Sequence, residues 1–380
     1  MPKRFLIFVA IVQGILWIGH ALLGATAVAF FSIAPGPAAA ILFVLSLTFV
    51  SASLIGHRRH GPVVRLYYRF AAVWLAVGHV LLLASAAAWA ALGLFRLAAL
   101  GIGPVVGAAA ARMAIGSAAL GAAAAVAAYG LVKARLIRVA RYRVRAAAVP
   151  AAWRGRKAVW ISDVHLGYVN GAPYARRVVG LVHRLQPDIV FIGGDLFDGT
   201  DGNLDELFTP LRDLTAPLGV YFITGNHEEF FDREAFLAPV RAAGNVRILL
   251  NEAVEIEGLR LIGVDFRETA DPRRYADVLA RLTPGMSPSP AGTEFTVLLR
   301  HDPSHNEVAE RAGVDVQLSG HTHGGQIWPF TKIAERVYGA RNYGHSQTSR
   351  LQTITSSGVG TWGPPMRLGT QSEVVEIVFE

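Results

Sequence analysis

Five short segments carry side chains able to hold divalent cations. In Asp163-Val164-His165, after an apolar run, residues i and i+2 of an extended chain point the same way, so a carboxylate and an imidazole face one cation. Gly193-Gly194-Asp195-Leu196-Phe197-Asp198 follows Ile189-Val190-Phe191-Ile192. The glycines permit a tight turn that exposes Asp195. Its two oxygens can bridge two cations, and Asp198 is placed to orient a neighbouring histidine ring. In Gly225-Asn226-His227-Glu228 the Asn226 carbonyl is a neutral hard ligand, while His227 points elsewhere, toward a substrate. His301 closes a fourth apolar run, and Gly320-His321-Thr322-His323-Gly324-Gly325-Gln326 repeats the i, i+2 spacing. A single strand-end histidine is commonly just a surface group. Five strand ends in order, each delivering Asp, Asn or His, make a pattern that chance does not readily give.

The elements that must position these residues read as strands at 158–162, 188–193, 220–224, 259–264, 295–300 and 314–319. Helices are expected at 173–185, 204–214, 233–243, 272–282 and 304–312. Alternating strand and helix argues for sheets flanked by helices, with the polar clusters at strand ends, where open α/β sheets build their sites. The Ser/Pro/Gly stretch 283–292 reads as a surface loop.

The first 150 residues are of another kind. They hold 14 Lys/Arg and no acid, whereas the remainder holds 22 Lys/Arg and all 28 acids. Positive charge therefore does not sit on the globular part, and no nucleic-acid surface is indicated. The absence of cysteine excludes disulfides, thiolate metal sites and cysteine nucleophiles. Four apolar runs, at about 5–31, 38–55, 70–95 and 113–132, meet or nearly meet the ~20 residues that cross a bilayer. A cleavable signal peptide is the other reading of the first run, but the run is too long and three more follow. The expected organisation is a transmembrane domain over 1–132, a basic juxtamembrane linker over 133–150 and a catalytic domain over 151–380. Twelve basic residues fall on one side of the spans and two on the other, so both termini and the catalytic domain are expected in the cytoplasm, at the inner membrane. The alternation of Arg with apolar residues after Lys133 suits an anionic leaflet or serves as a plain stop-transfer flank. His20 and His79, within spans, are read as hydrogen-bonded inside the bundle or near an interface.

The ordered set Asp163-x-His165, Gly194-Asp195-x-x-Asp198, Gly225-Asn226-His227-Glu228, His301, Gly320-His321-x-His323 resembles the calcineurin-like metallophosphoesterase superfamily from about residue 158 onward. The string from Gly320 to Gln326, and the later segment around Pro364-Pro365-Met366-Arg367, are similar to its YkuE- and YaeI-type branch. The resemblance implies a four-layer αββα sandwich with a dinuclear metal centre. Asp163, His165, Asp195 and His323 would hold one metal. Asp195, Asn226, His301 and His321 would hold the other, with Asp195 shared. The donors suit Mn, Fe or Zn without choosing among them.

The expected reaction is hydrolysis of a phosphodiester or pyrophosphate, by in-line attack of a hydroxide generated between the metals. Asn226 helps neutralise charge, and His227, held by Asp198, protonates the leaving oxygen or stabilises the phosphate. The substrate is a phosphate ester, lipid-linked or soluble, and membrane lipid is a partner. Arg341 and Arg367 are candidate phosphate contacts. Glu228 and Glu229 are assigned to structure or solvent, Trp328, Tyr343 and Trp362 to packing, and Arg300 to solvent. Phe266 stands where the branch often has a second acid. A sensor or scaffold that binds metal or nucleotide without turnover is the alternative, although every ligand position is intact. A transporter is disfavoured, since the spans contain no acid.

Overall fold

The computed structural model describes residues 3–99, 107–200, 203–230, 232–283 and 295–380. The stretch expected as a surface loop lies, beyond Thr283, outside them. The chain divides into two compact units: 1–132 with 363–366, and 133–362 with 367–380.

In the first unit, α1 (Lys3–Phe31), α2 (Pro35–Gly56), α3 (Pro62–Ala99) and α4 (Ala108–Lys133) are each long and apolar enough to cross a membrane. Their outer faces are apolar, with Phe8, Ile18 and Ile41 all exposed. Small residues set the packing: a Cβ on Gly116 would sit 2.8 Å from the Cβ of Phe30. His20 is satisfied inside the bundle, with Nδ1 at 2.8 Å from Leu16 O and Nε2 accepting from Trp74 Nε1 at 2.9 Å. α3 begins earlier than expected. Its first turns carry Arg65 and Arg69, so these charges stand on a helix instead of in a loop.

The second unit contains β1 (Arg138–Val144), β2 (Lys157–Ile161), β3 (Ile189–Ile192), β4 (Val220–Phe222), β5 (Val246–Ile248), β6 (Glu252–Ile256), β7 (Leu259–Gly263), β8 (Phe295–Leu299), β9 (Val316–Ser319), β10 (Gly344–Gln347), β11 (Gln352–Thr355) and β12 (Glu373–Phe379). Its helices are α5 (Ala172–Leu185), α6 (Leu204–Phe208), α7 (His227–Phe230), α8 (Arg233–Ala243), α9 (Phe266–Thr269), α10 (Pro272–Leu282), α11 (Asn306–Arg311) and α12 (Phe330–Tyr338). One sheet has the order β1-β12-β2-β3-β4-β5, the other β10-β11-β9-β8-β7-β6.

Three apolar layers fix the stacking. Ile161, Ile192 and Phe222 pack against Val178, Val182 and Leu237 of α5 and α8. Trp160, Phe191, Leu261, Val297 and Ile377 fill the space between the sheets. Ile262 and Leu298 pack against Tyr275 and Val278 of α10 and Val308 of α11. The result is the αββα order of layers. Its strands read as nearly continuous apolar runs because both faces of each sheet are covered.

Two expectations change. The helix expected over 204–214 stops as α6 and continues as a 3₁₀ turn, Thr209–Asp213, at Pro210, which lacks the N–H that α-helix requires. The basic stretch expected as a linker contains β1, paired in parallel with β12. Its arginines face acids: Arg138 meets Glu373 at 2.8 Å, Arg141 meets Glu376 at 3.0 Å, and Arg143 and Arg145 both reach Glu380. The Arg/apolar alternation is the period of a strand, and those four charges are spent on the edge of the sheet.

Candidate metal centre

Each donor stands just beyond the carboxyl end of a strand. Asp163 and His165 follow β2, Asp195 follows β3, Asn226 follows β4, His301 follows β8, and His321 and His323 follow β9. The two sheets therefore contribute opposite walls of one pit. His165 Nε2 lies 3.0 Å from His323 Nε2, which is 3.5 Å from Asp163 Oδ1. On the other side His301 Nε2 is 3.2 Å from both Asp195 Oδ2 and Asn226 Oδ1, and His321 Nδ1 is 2.7 Å from the same Asn226 oxygen. Asp195 Oδ2 also stands 3.8 Å from His165 Nε2, and Asp163 Oδ1 stands 3.9 Å from His301 Nε2. All seven expected donors are together.

The backbone works to place them. Asp163, His165, Asp195, His321 and His323 all have positive φ, between 49° and 69°. Each such residue costs roughly 1–3 kcal/mol unless its surroundings hold it, and Asp and His bear it better than most. Glu228 does much of the holding. Fully buried, it accepts from the amides of Asp195 at 2.9 Å, Leu196 at 2.8 Å and Gly225 at 2.7 Å, pinning two strand-end loops together. Gly225 is required by the same closeness, since a Cβ there would stand 2.3 Å from Asp195 Oδ1. Glu229 is held by Arg233 and Arg267. Both acids are thus structural.

A scan against family descriptions matches residues 156–325 to the calcineurin-like phosphoesterases. A metallophosphoesterase of Aquifex aeolicus is 33% identical over 259 residues, which are 66% of this chain and 95% of that protein. The chain belongs to the calcineurin-like phosphoesterases. YkuE of Bacillus subtilis, a metallophosphoesterase, is 27% identical over 63% of this chain and 84% of its own. A transmembrane protein with metallophosphoesterase domain from Danio rerio is 30% identical over 66% of this chain and 60% of its own. The chain spans about 60% of the length of the first curated relatives it matches, metallophosphoesterases of Campylobacter jejuni and Helicobacter pylori.

The electrostatics of this calcineurin-like phosphoesterase fit cations in the pit. Burial, above all, pushes the Asp163 carboxyl up to about 6. Burial also holds the His165 and His323 rings well below the usual imidazole range and His321 down to about 4, so these rings are neutral and present lone pairs. Burial opposes charge on His301 too, but the Asp195 carboxylate, with Asp163, pushes it up to about 10. The His165 and His323 nitrogens that face each other at 3.0 Å cannot both carry a proton toward the pit. The buried Nδ1 of His165 has no hydrogen-bond partner. Two carboxylates, one amide oxygen and four imidazoles are the hard and borderline donors that divalent metals take. Three groups, Asp163/His165/His323, Asp195/His301/His321 and His165/Asp195/His227, each bring their ligand atoms within 4.8 Å of one another.

Around the donors the fold revises several expectations. Arg367 is wholly buried, with Nη1 donating to His323 O at 3.0 Å and Nη2 donating to Ser357 O at 2.7 Å and Gly360 O at 2.6 Å. It braces the loop of His323 from behind and is not a phosphate contact. Arg300 is buried as well, donating to Asp302 O and Ser304 O after β8 and to Thr269 O at the end of α9, beneath the Tyr275 ring; backbone carbonyls, not water, satisfy it. Trp328, Tyr343 and Trp362 are 51, 38 and 57% exposed and so are not core packing. The Trp362 ring lies 6.2 Å from that of His227, which stands edge-on to His165 at 4.7 Å. Phe266, where the branch often has an acid, lies against the rings of His301 at 5.9 Å and His321 at 6.2 Å. Asp198 accepts from Thr200 N at 2.8 Å and Thr200 Oγ1 at 2.6 Å. Arg341 is half-buried and donates to Tyr338 O.

Proposed function

We propose that this chain is a membrane-anchored, dinuclear-metal phosphoesterase that hydrolyses a phosphodiester or pyrophosphate bond of a lipid-linked substrate. The observation that carries the reading is the meeting of seven donors in two sets around Asp195. Asp163, His165, Asp195 and His323 hold one ion; Asp195, Asn226, His301 and His321 hold the other. Two such ions supply Lewis-acid charge at the phosphoryl oxygens and acidify a water at neutral pH.

The chain's own residues do the rest. The Asn226 amide faces the phosphoryl group. His227, at the pit but on the side of Trp362, gives its proton to the leaving oxygen, while Asp198 is bonded to Thr200. Of the two arginines considered for phosphate, only Arg341 remains suited. The four apolar helices and the likeness to the transmembrane protein of Danio rerio support anchoring. The basic bias of the connecting segments supports a reading with both termini and the catalytic unit in the cytoplasm at the inner membrane.

The test uses the full chain purified in detergent, with metal analysis and a panel of phosphodiesters, phosphomonoesters and pyrophosphates. Two metal equivalents are expected, with metal-dependent turnover that Asp195→Asn abolishes. Metal binding without turnover of any panel member would instead make the chain a sensor. A C-terminal reporter signal from outside the cytoplasm would overturn the orientation.

A further inference from the structure

Helix α12 lies on the surface of the catalytic unit and contains no buried residue. Its apolar side chains fall on one arc. Phe330, Ile333 and Val337 recur at i, i+3 and i+7 and are 51, 57 and 66% exposed in the full chain. Trp328, just before the helix, is 51% exposed. Lys332 and Arg336 stand on the adjoining arc, and Lys332 is bonded to Glu335 at 2.8 Å. Apolar side chains gathered this way on a polar surface mark a contact. The far end of the helix touches the metal pit: the Tyr338 ring lies 6.3 Å from that of His321. Beside the near end, a cavity of about 490 Å³ is lined by Lys133, Trp328, Lys332, Glu335, Asn342 and Tyr343, with Arg138 there already paired to Glu373, a mixed polar lining open beside the arc.

We propose that α12 is an interfacial helix whose Phe330, Ile333 and Val337 seat in an anionic bilayer surface, so that the rim of the pit meets lipid. Three observations select the bilayer as occupant. The same chain has four helices able to span one. Lys133 ends α4 and Arg138 begins β1, so only a short segment joins the last of those helices to the catalytic unit. The arc is aliphatic with aromatic residues at its start and basic residues along its edge, the composition that lies in a headgroup layer and draws anionic lipid. A second copy of the chain packed on this arc would bring Lys332 and Arg336 toward their own counterparts. The inference rests on the anchored-phosphoesterase reading and sharpens it: a substrate with an apolar tail reaches the metals without leaving the membrane.

Because the chain has no cysteine, single spin labels can be placed without further engineering. Ile333→Cys, Val337→Cys and, off the arc, Glu335→Cys are made in the full chain and reconstituted in vesicles of phosphatidylglycerol and phosphatidylcholine. Labels at 333 and 337 should become oxygen-accessible and shielded from a water-soluble nickel relaxant, while the label at 335 stays in water. Removing phosphatidylglycerol should lessen the immersion. Labels at 333 and 337 as wet as the one at 335, or immobilised against protein in a concentration-dependent way, overturn the proposal. This readout needs no turnover, so it stands apart from failure of the enzymatic reading. Where wild type is active, Ile333→Asp/Val337→Asp should raise KM for CDP-diacylglycerol in vesicles roughly tenfold or more. Turnover of soluble bis(p-nitrophenyl) phosphate should not change, and equal losses on both substrates would count against the proposal.

Discussion

The two sides of the metal pit are built from different materials. Behind Asp163, His165 and His323 lies a buried guanidinium, Arg367, knitted to backbone carbonyls, and these donors are shut off from solvent. Beside His301 and His321 lie the rings of Phe266 and Tyr338. The first wall is fixed by hydrogen bonds whose loss strands buried polar groups. The second also has a buried bond, His301 Nδ1 to Gly193 O at 2.7 Å, but its outer rim is shaped by apolar contact. The contrast suggests that the first side sets the position of the centre and the second adapts to the substrate.

Asp195→Asn should have the largest effect, because Asp195 belongs to both sides. We expect turnover to fall by ~10³-fold or more, with less than two metals retained by elemental analysis. If one side kept its ion at full strength, the shared role would be wrong. Next comes His227→Ala, which should cost about 10²–10⁴-fold in kcat while both metals remain. Full activity on a phosphodiester would remove it as the proton donor. Arg367→Ala should destabilise the chain by about 3–5 kcal/mol in thermal or denaturant unfolding and weaken the ion held by His323 before the other. Arg367→Lys should recover only part of this, since lysine lacks the planar fork. Equal weakening of both ions would erase the contrast. Phe266→Ala should give the smallest change, a severalfold shift in KM with metal content and kcat intact.

The pit was legible in the sequence because strand ends followed by Gly, Asp, Asn and His announce both the turn and the chemistry. All six expected strands exist, and all seven donors converge. The braces were not legible. Arg367 follows two prolines far from His323 in sequence, and only the fold brings a guanidinium under that loop. Glu228 reads as one of two adjacent acids, and nothing local says that one is buried on four amide hydrogens while the other meets arginines. β1 was hidden for another reason: a basic run after an apolar helix has a ready topological explanation, and strand pairing with β12 is a non-local fact. A fragment starting at residue 148 lacks that strand. It should melt at least about 5 °C below one starting at residue 134, as read by circular dichroism.

That pairing also bears on how the molecule is made. Arg138 and its partner Glu373 are 235 residues apart, so during synthesis the arginine-bearing strand emerges right after the fourth helix and waits. Until β12 leaves the ribosome, those guanidinium groups lack the acids they meet in the folded chain. Completion of the first sheet therefore waits on translation of its last strand.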